Sequence, residues 1–423
     1  MKNISWIPFV LCAIAFRQEA PKLPENWKIA VDDTSHADLL KQEVIGGDDL
    51  RLWSSPTLLS NGDIAFAARE GMIGVLRKGS HKLDIIKIAG TESGKRAEHM
   101  YVRLTELSPG QVLVAMKPNA ITLKIPPHTD GAVTTVTSDS TLKAADEQEF
   151  IANPVKFRGE WTLVDTSGAI QTLKGQPIAT VPSQIMSTPV VMEDGSLFLA
   201  GNGGFFRVRP SGDVQKITDL KELRKEWKKN NKDVRWPQGI TSTPVILNSG
   251  TIAAGADTLF AKDGRMFFFD KTGKPLSHSF GVPGGIEARP LPLKNGNLFF
   301  ATLGKNDGAN GVYFLSPDGK ELSHYPSESE PNADFTLHYA SPIQLNNGTI
   351  LVCGGRGFYL FSDAGKFLGE FSLPGGTSMA PSPIQLPDGS IAFIGNGHFF
   401  LIATGHPGEA APRHVTDAGK AHR

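Results

Sequence analysis

The sequence contains little cysteine, no excess of charge of either sign and no long apolar segment. Cys12 and Cys353 are its two cysteines, which excludes a disulfide framework and a cysteine-rich zinc site. The 43 basic residues are matched by 43 acidic ones, so no surface for neutralising nucleic-acid phosphates is indicated. The apolar run at 4–16 has 13 residues and is too short to span a bilayer.

Turn-forming residues are abundant. The chain has 45 Gly and 29 Pro among 423 residues, and 40% of its residues are hydrophobic. This combination favours many short strands around a buried core rather than a disordered polyelectrolyte. The length is typical of two or three domains, although an all-β ring can reach this size as one unit.

The N-terminus resembles an export signal. Lys2 precedes the apolar run, and Ala13-Ile14-Ala15 offers a small-x-small cleavage site, so residues 1–15 are predicted to be a signal peptide. Lipidation of Cys12 is an alternative, but the three residues before it include no small one; a buried N-terminal segment is the other alternative. Residues 16–48 are predicted to be a tether with a short strand at 27–31 that could close a ring.

Internal repeats indicate the architecture. Six segments share one pattern: a small residue, any residue, proline, a short apolar run, a turn with glycine, and an alternating strand. The anchoring prolines lie 133, 55, 46, 52 and 41 residues apart, and they are Pro56, Pro189, Pro244, Pro290, Pro342 and Pro383. The turn glycines are Gly62, Gly195, Gly250, Gly296, Gly348 and Gly389.

Each repeat has the rhythm of four short strands joined by hairpin turns, which is typical of a β-propeller blade. The long first gap contains a degraded unit at 101–114, whose third strand is expected late, at 161–165. The prediction is an all-β propeller of seven four-stranded blades at 49–416, with a tail at 417–423. Six or eight blades are the alternative counts, and a β-solenoid or two sandwiches are the alternative folds.

The repeat resembles that of the pyrroloquinoline-quinone-type propellers. The similarity rests on the small-x-Pro start and on turns such as Asp270-Lys271-Thr272-Gly273-Lys274 and Asp318-Gly319-Lys320. It implies the propeller fold over roughly residues 50–403. The superfamily includes quinoprotein dehydrogenases and non-catalytic members such as the outer-membrane assembly propeller lipoprotein of Gram-negative bacteria. The docking Trp of quinoprotein repeats is missing after Gly273-Lys274, Gly319-Lys320 and Gly365-Lys366, and no adjacent Cys pair occurs, so no cofactor is expected.

Candidate binding residues lie in two sets of loops that a propeller places on one face near its axis. The loops between blades repeat a Pro-to-Pro spacing of seven, and the loops between second and third strands are rich in glycine. Arg is suited to carboxylate or phosphate recognition, which singles out Arg289 and Arg356 first. A repeated crossing turn and ordinary glycine turn geometry are the alternative explanations. The full set is Arg69, Asn202, Asp257, Glu287, Arg289, His338, Arg356, Asn396 and His398.

Two insertions interrupt the repeat. Residues 118–153 are rich in Thr, Ser and Asp and are expected to cross one face. Residues 218–233 are expected to form a helix with Thr218 as N-cap and with Leu220, Leu223 and Trp227 on one side. This helix either packs that side on the propeller or serves as a docking element for a protein or an anionic surface.

No motif nominates a catalytic or metal site. The eleven His include no His-Glu-x-x-His, no Gly-x-Ser-x-Gly occurs, and His278 and His324 fall at equivalent positions of neighbouring repeats. The prediction is a non-catalytic, monomeric propeller, periplasmic or secreted, that binds protein in the cell envelope. A quinoprotein-like oxidoreductase with degraded repeats and a small-ligand receptor that uses the funnel are the alternatives.

Overall fold

Short antiparallel strands make up nearly all regular structure. The computed structural model describes residues 23–35, 44–45, 49–50, 54–67, 71–90, 103–115, 119–128, 133–144, 148–222, 242–257, 263–303, 310–329, 335, 337, 340–354, 357–374, 381–395 and 398–405. Within these ranges the strands form eight sheets of at least four strands, here called blades 1 to 8 in chain order of their innermost strands, and one two-stranded hairpin.

The N-terminal strand, the hairpin and the first four blades occupy the first half of the chain. Strand β1 is Lys28–Asp33, and the hairpin is β2 (Val44–Ile45) with β3 (Asp49–Leu50). The following strands are β4 (Thr57–Leu58), β5 (Ile64–Ala67), β6 (Met72–Leu76), β7 (Leu83–Ile88), β8 (Thr105–Ser108), β9 (Gln111–Ala115), β10 (Asn119–Lys124), β11 (Val133–Val136), β12 (Ser140–Lys143), β13 (Val155–Phe157), β14 (Glu160–Val164), β15 (Ala169–Thr172), β16 (Pro177–Thr180), β17 (Val190–Val191), β18 (Leu197–Gly201), β19 (Gly204–Val208) and β20 (Val214–Asp219).

The second half of the chain forms blades 5 to 8. Its strands are β21 (Val245–Ile246), β22 (Ile252–Asp257), β23 (Asp263–Phe269), β24 (Pro275–Pro283), β25 (Leu291–Pro292), β26 (Leu298–Thr302), β27 (Gly311–Leu315), β28 (Glu321–Tyr325), β29 (Ile343–Gln344), β30 (Ile350–Cys353), β31 (Gly357–Phe361), β32 (Phe367–Ser372), β33 (Ile384–Gln385), β34 (Ile391–Gly395) and β35 (His398–Ala403).

The all-β propeller prediction is confirmed, but the ring has eight blades rather than seven. The error lies between residues 101 and 180, where one degraded unit with a late third strand was expected. Strand β14, which contains Trp161, instead pairs with β13 and β15 in a blade of its own, blade 3. The third and fourth strands of blade 2 are β10 and β12, which lie inside the segment expected to be an insertion. The same segment adds β11 in parallel to the outer edge of blade 1.

The N-terminal strand completes the last blade. Strand β1 pairs antiparallel with β35 over Lys28↔Ala403 to Asp33↔Phe399, so blade 8 takes its outermost strand from the start of the chain. Trp27 stacks on Phe358 of blade 7, with ring centroids 5.5 Å apart. The Asp33 carboxylate accepts the backbone N–H of Leu83 in blade 1 at 2.7 Å. This strand therefore contacts blades 7, 8 and 1 at once.

The core is divided among the spaces between blades. The described residues contain eight separate apolar clusters, one between each pair of neighbouring blades, including the pair formed by blades 8 and 1. Middle strands such as β18 and β31 are buried at every position, because each face of a blade packs on a neighbour. Outer strands such as β24 and β32 alternate between more and less exposed residues. Closing the ring thus hides both apolar faces of each sheet.

Hairpin turns and side-chain bonds fix the ends of the innermost strands. The six turn glycines singled out in the repeats all have positive φ, between 78° and 91°. Beside these turns, side-chain oxygens of one blade accept backbone N–H groups of the preceding blade: Glu106 from Ser60, Gln344 from Lys294 and Gln385 from Asn346, at 2.7–2.9 Å. The blades are therefore joined by hydrogen bonds at this end of the ring as well as by apolar packing.

The predicted helix begins after strand β20. Residues 220–222 are helical, and residues 223–241, with Leu223 and Trp227, lie outside the described residues. Thr218 lies in β20, whereas the Asp219 carboxylate accepts the backbone N–H of Lys221 at 2.7 Å, as an N-cap does. The pKa of Asp219 is lowered by its hydrogen bonds from Lys216 Nζ and from this N–H. In the described part of the chain, no helix has the length and apolarity needed to cross a membrane.

Candidate functional site

Two sets of loops meet at one end of the propeller, which we call the loop face. It carries the loops between blades and the loops between second and third strands. In blade 4, Asn202 Nδ2 donates to Gln184 Oε1 at 2.7 Å, and the N–H of Gly203 donates to Ser183 Oγ at 2.8 Å. In blade 6, the backbone makes the corresponding connection, because Gly285 of the incoming loop forms an antiparallel β-bridge with Leu303, just after the second strand. A further bridge joins Leu337 to Gly354. In blades 4, 6 and 7, the described part of the incoming loop is thus hydrogen-bonded to the residues that follow that blade's own second strand.

A ring of hydrogen bonds runs around the axis just below these loops. It is formed by the residue that precedes the anchoring proline, or the equivalent residue, in each blade, and we call it the belt. In six places the backbone N–H of one belt residue donates to a side-chain oxygen of the next: Arg103 to Asn153, Asn153 to Thr188, Thr188 to Thr243, Arg289 to Ser341, Ser341 to Ser382 and Ser382 to Ser55, at 2.8–3.4 Å.

The belt changes chemistry at two blades. In blades 2 and 6 the belt residues are Arg103 and Arg289, whose guanidinium groups carry no acceptor. A neighbouring hydroxyl makes the connection there instead: Ser242 Oγ donates to Ala288 O at 3.2 Å, and Thr57 Oγ1 donates to Leu104 O at 2.9 Å. Blades 2 and 6 are four steps apart in a ring of eight. The two arginines therefore start from opposite sides of the axis.

The structure brings part of the predicted funnel set to the loop face. Asn202 is exposed there, and Glu287 and Arg289 are half-buried in the loop that enters blade 6. His398 opens β35 and is tied to the closing strand, because its Nδ1 lies 2.7 Å from Asp32 Oδ1. Asp257 is the last residue of β22. Arg69, His338, Arg356 and Asn396 lie outside the described residues.

Of the three proposed docking residues, the structure describes one, Leu220. Leu220 is 4% exposed and lies in the apolar cluster between blades 4 and 5. Its side chain therefore packs on the propeller. Leu223 and Trp227 are among the residues that the structure does not describe.

Arg103 was not identified from the sequence. Its unit has Leu104 where the others have proline, so the belt position was not recognised there. The signal was nevertheless present, because Gly110 follows Leu104 by six residues, the spacing that also separates Pro342 from Gly348. Counting back from the turn glycine would have aligned Arg103 with Arg289.

The described residues offer little for metal or covalent chemistry. No group of three or more His, Cys, Asp or Glu side chains within them could hold a metal ion. Cys353 lies in the cluster between blades 7 and 8, and burial raises the pKa of its thiol, so it stays protonated and is a poor nucleophile. What the described residues do offer is hydrogen-bonded loops in blades 4, 6 and 7 above a belt of hydroxyl, amide and guanidinium groups.

Comparison with known proteins yields structural likeness only. No protein family and no curated protein matches the sequence. Among solved structures, BamB from Moraxella catarrhalis has a TM-score of 0.56 at 12% identity, covering 90% of this chain and 98% of its own. The computationally designed Ika8 protein has a TM-score of 0.52 at 12% identity, covering 83% and 95%. A europium-containing methanol dehydrogenase has a TM-score of 0.52 at 10% identity, covering 87% and 85%.

Identities this low establish the fold and leave the activity open, since one of these propellers is a dehydrogenase and another is a designed protein. The repeat pattern, the eight blades and these likenesses agree with one another. The chain has the fold of an eight-bladed β-propeller.

Proposed function

We propose that this protein is a non-catalytic, exported propeller that binds a protein partner in the cell envelope through its loop face. The observation that carries the proposal is the fastening of the loops, seen at Gln184–Asn202, Gly285–Leu303 and Leu337–Gly354. Loops held in this way lose little conformational entropy when a partner binds, which favours affinity.

The loop face also presents an apolar contact. Met186 follows the buried Ile185 in the loop entering blade 4, and its side chain is 38% exposed. Methionine adapts its shape to irregular surfaces and is frequent at protein-binding sites. Beside it, Gln184 and Asn202 are held by their mutual hydrogen bond and can add polar contacts at the rim.

The envelope location rests on the predicted signal peptide at 1–15 and on the resemblance to the outer-membrane assembly propeller lipoprotein. The structural likeness to BamB agrees with that resemblance at the level of the fold. Residues 1–15 lie outside the described part of the chain. Export is tested directly by separating the periplasmic fraction and determining the N-terminus of the mature protein.

The partner is tested by site-specific photo-cross-linking in the native envelope. A photoreactive amino acid replaces Met186 in one variant and Ser249, at the opposite end of blade 5, in a matched control. We expect a discrete adduct at position 186 that is at least about five-fold stronger than at position 249. Equal capture at both positions, or no adduct at 186, would count against a binding loop face.

The rival activity is that of a quinoprotein-like oxidoreductase. Incubation of the purified protein with pyrroloquinoline quinone and calcium provides the test. Stoichiometric uptake together with dye reduction would replace the binding proposal by an enzymatic one.

A further inference from the structure

Most of the belt residues face an opening rather than the core, although Thr188 is buried, with 3% of its surface exposed. Ser55, Asn153, Thr243, Arg289, Ser341 and Ser382 are all partly exposed. The residues before them are buried: Ser54, Ala152, Ser242, Ala288 and Ala340 are between 0% and 4% exposed, and Pro381 is buried too. The prolines after them are also buried. Since the belt encircles the axis, the exposed position between two buried ones looks onto the central channel.

The belt bonds set the width of this channel. Backbone-to-side-chain bonds of 2.8–3.4 Å place successive belt Cα atoms about 6 Å apart. With the two remaining steps, made by neighbouring hydroxyls, taken as equally long, eight steps close an octagon roughly 16 Å across between opposite Cα atoms. An extended arginine reaches about 6 Å from Cα to its guanidinium carbon. Arg103 and Arg289 can therefore both contact one anion at the axis without full extension.

The smaller belt residues add donors to the same opening. The oxygens of Ser55, Thr243, Ser341 and Ser382 each accept an N–H from the preceding blade, so each hydroxyl keeps its own hydrogen for donation. Their side chains turn along the ring toward that blade and do not project across the channel. Glu287, two residues before Arg289, is half-buried and contributes one carboxylate near the entrance.

We propose that the central channel binds one phosphate-class oxyanion, free or carried by a ligand, between the guanidinium groups of Arg103 and Arg289. A tetrahedral oxyanion presents oxygen atoms to both sides, so each planar guanidinium can bind it with two parallel N–H donors. A single carboxylate has two oxygens in one plane and satisfies one such group.

The test uses the purified full-length protein and inorganic phosphate, with sodium acetate at equal ionic strength as the comparison. Saturable binding is followed by calorimetry and by the thermal midpoint, which a ligand raises when it binds the folded state. Arg103→Ser and Arg289→Ser are the informative variants, because serine removes the charge and restores the acceptor found in other blades. Arg209→Ser, in an exposed turn of blade 4, is the matched control.

We expect each belt variant to weaken phosphate binding at least about ten-fold, and the double variant to show no saturable binding. The phosphate-free midpoints of the variants show separately how far each substitution alters the stability of the fold. Unchanged affinity in the double variant, absence of saturable binding by the unaltered protein, or equally tight binding of acetate would overturn the proposal. Cross-linking at position 186 should be unaffected, which separates this site from the protein-binding role.

Discussion

The turn between the third and fourth strands of a blade contains a glycine that allows close packing on the preceding blade. A Cβ at Gly319 would lie 2.8 Å from His278 Cδ2 and 2.9 Å from Phe268, both in blade 5, and its φ is +79°. At Gly365 a Cβ would lie 2.2 Å from Ser323 Oγ in blade 6. In these fourth strands, the turn glycine of the next blade therefore packs on His278 or Ser323, which are smaller than the docking Trp of quinoprotein repeats.

Replacement of Gly319 by alanine should destabilise the fold by roughly 2–4 kcal/mol, because a strained backbone and a clash between blades add together. Gly110→Ala is the control, since Gly110 also has positive φ but meets nothing within 4 Å. It should lose only about 1 kcal/mol. Urea unfolding measures both. Equal losses would show that blades 5 and 6 separate enough to admit the methyl group.

A buried tyrosine should make the stability of the fold decrease at high pH. Tyr313 is 8% exposed, stacks on Phe300 and His324, and burial, with a smaller contribution from Glu321, raises its pKa to about 12. In the unfolded chain a tyrosine ionises near pH 10. Between these values the unfolded state binds fewer protons, so the free energy of unfolding falls as the pH rises.

Tyr313→Phe removes this linkage. The stability of the variant, measured by urea unfolding at pH 9, 10 and 11, should decline less steeply with pH than that of the unaltered protein. The difference should be absent below pH 9, where both tyrosine states are protonated. Parallel pH profiles would show that Tyr313 ionises as easily in the folded protein as in the unfolded one.

At the level of strands, the sequence predicts each blade better than the number of blades. The four-strand rhythm is local, because proline, turn glycine and strand alternation all act within about 45 residues. Blade 3 was missed because its hairpin turn comes one residue early. Gly159 follows Pro154 by five residues, whereas six separate Pro189 from Gly195. Its start, Ala152-Asn153-Pro154, follows the pattern of the other blades.

Ring closure depends on an element that has no repeat of its own. Strand β1 supplies the fourth strand of blade 8, and Trp27 just before it is 9% exposed within the cluster between blades 7 and 8. Trp27→Ala should cost about 3–5 kcal/mol, as expected for a buried tryptophan. Trp161→Ala, where the ring is partly exposed beneath Lys156 Nζ, is the control and should cost about 1 kcal/mol.

Thermal and urea unfolding of both tryptophan variants provide the measurement. A Trp27 variant no weaker than the Trp161 variant would mean that β1 contributes little to holding the ring closed. The prediction concerns the whole strand, because Trp27 leads directly into the backbone pairs that join β1 to β35.

For the molecule as a whole, the candidate site was only partly predictable. Arg289 was singled out as an arginine of the funnel loops suited to binding an anion, but its counterpart Arg103 was not. The link between them lies in the closed ring, where the second and sixth of eight blades stand opposite each other. With seven blades no two positions are opposite, so an incorrect count hides the pairing. Such a relation depends on global symmetry and leaves no local trace in the sequence.

In a closed ring, the contact between blades 8 and 1 should be as stable as the contacts between the other neighbouring blades. The belt bond from Ser382 N–H to Ser55 Oγ crosses from blade 8 to blade 1, and the bond from Ser341 N–H to Ser382 Oγ joins blades 7 and 8, at 2.9 and 2.8 Å. Ser55→Ala and Ser382→Ala each remove one acceptor. Each should cost about 1 kcal/mol of unfolding free energy.

Ser60→Ala is the control for this pair, since its exposed hydroxyl bonds Glu106 at 2.9 Å and its removal should change stability by no more than about 0.5 kcal/mol. Urea unfolding of the three variants compares the bond between blades 8 and 1 with the bond between blades 7 and 8. A loss for Ser382→Ala without one for Ser55→Ala would show that blades 8 and 1 are not held by the belt, and the channel argued from an unbroken octagon would then have an open side.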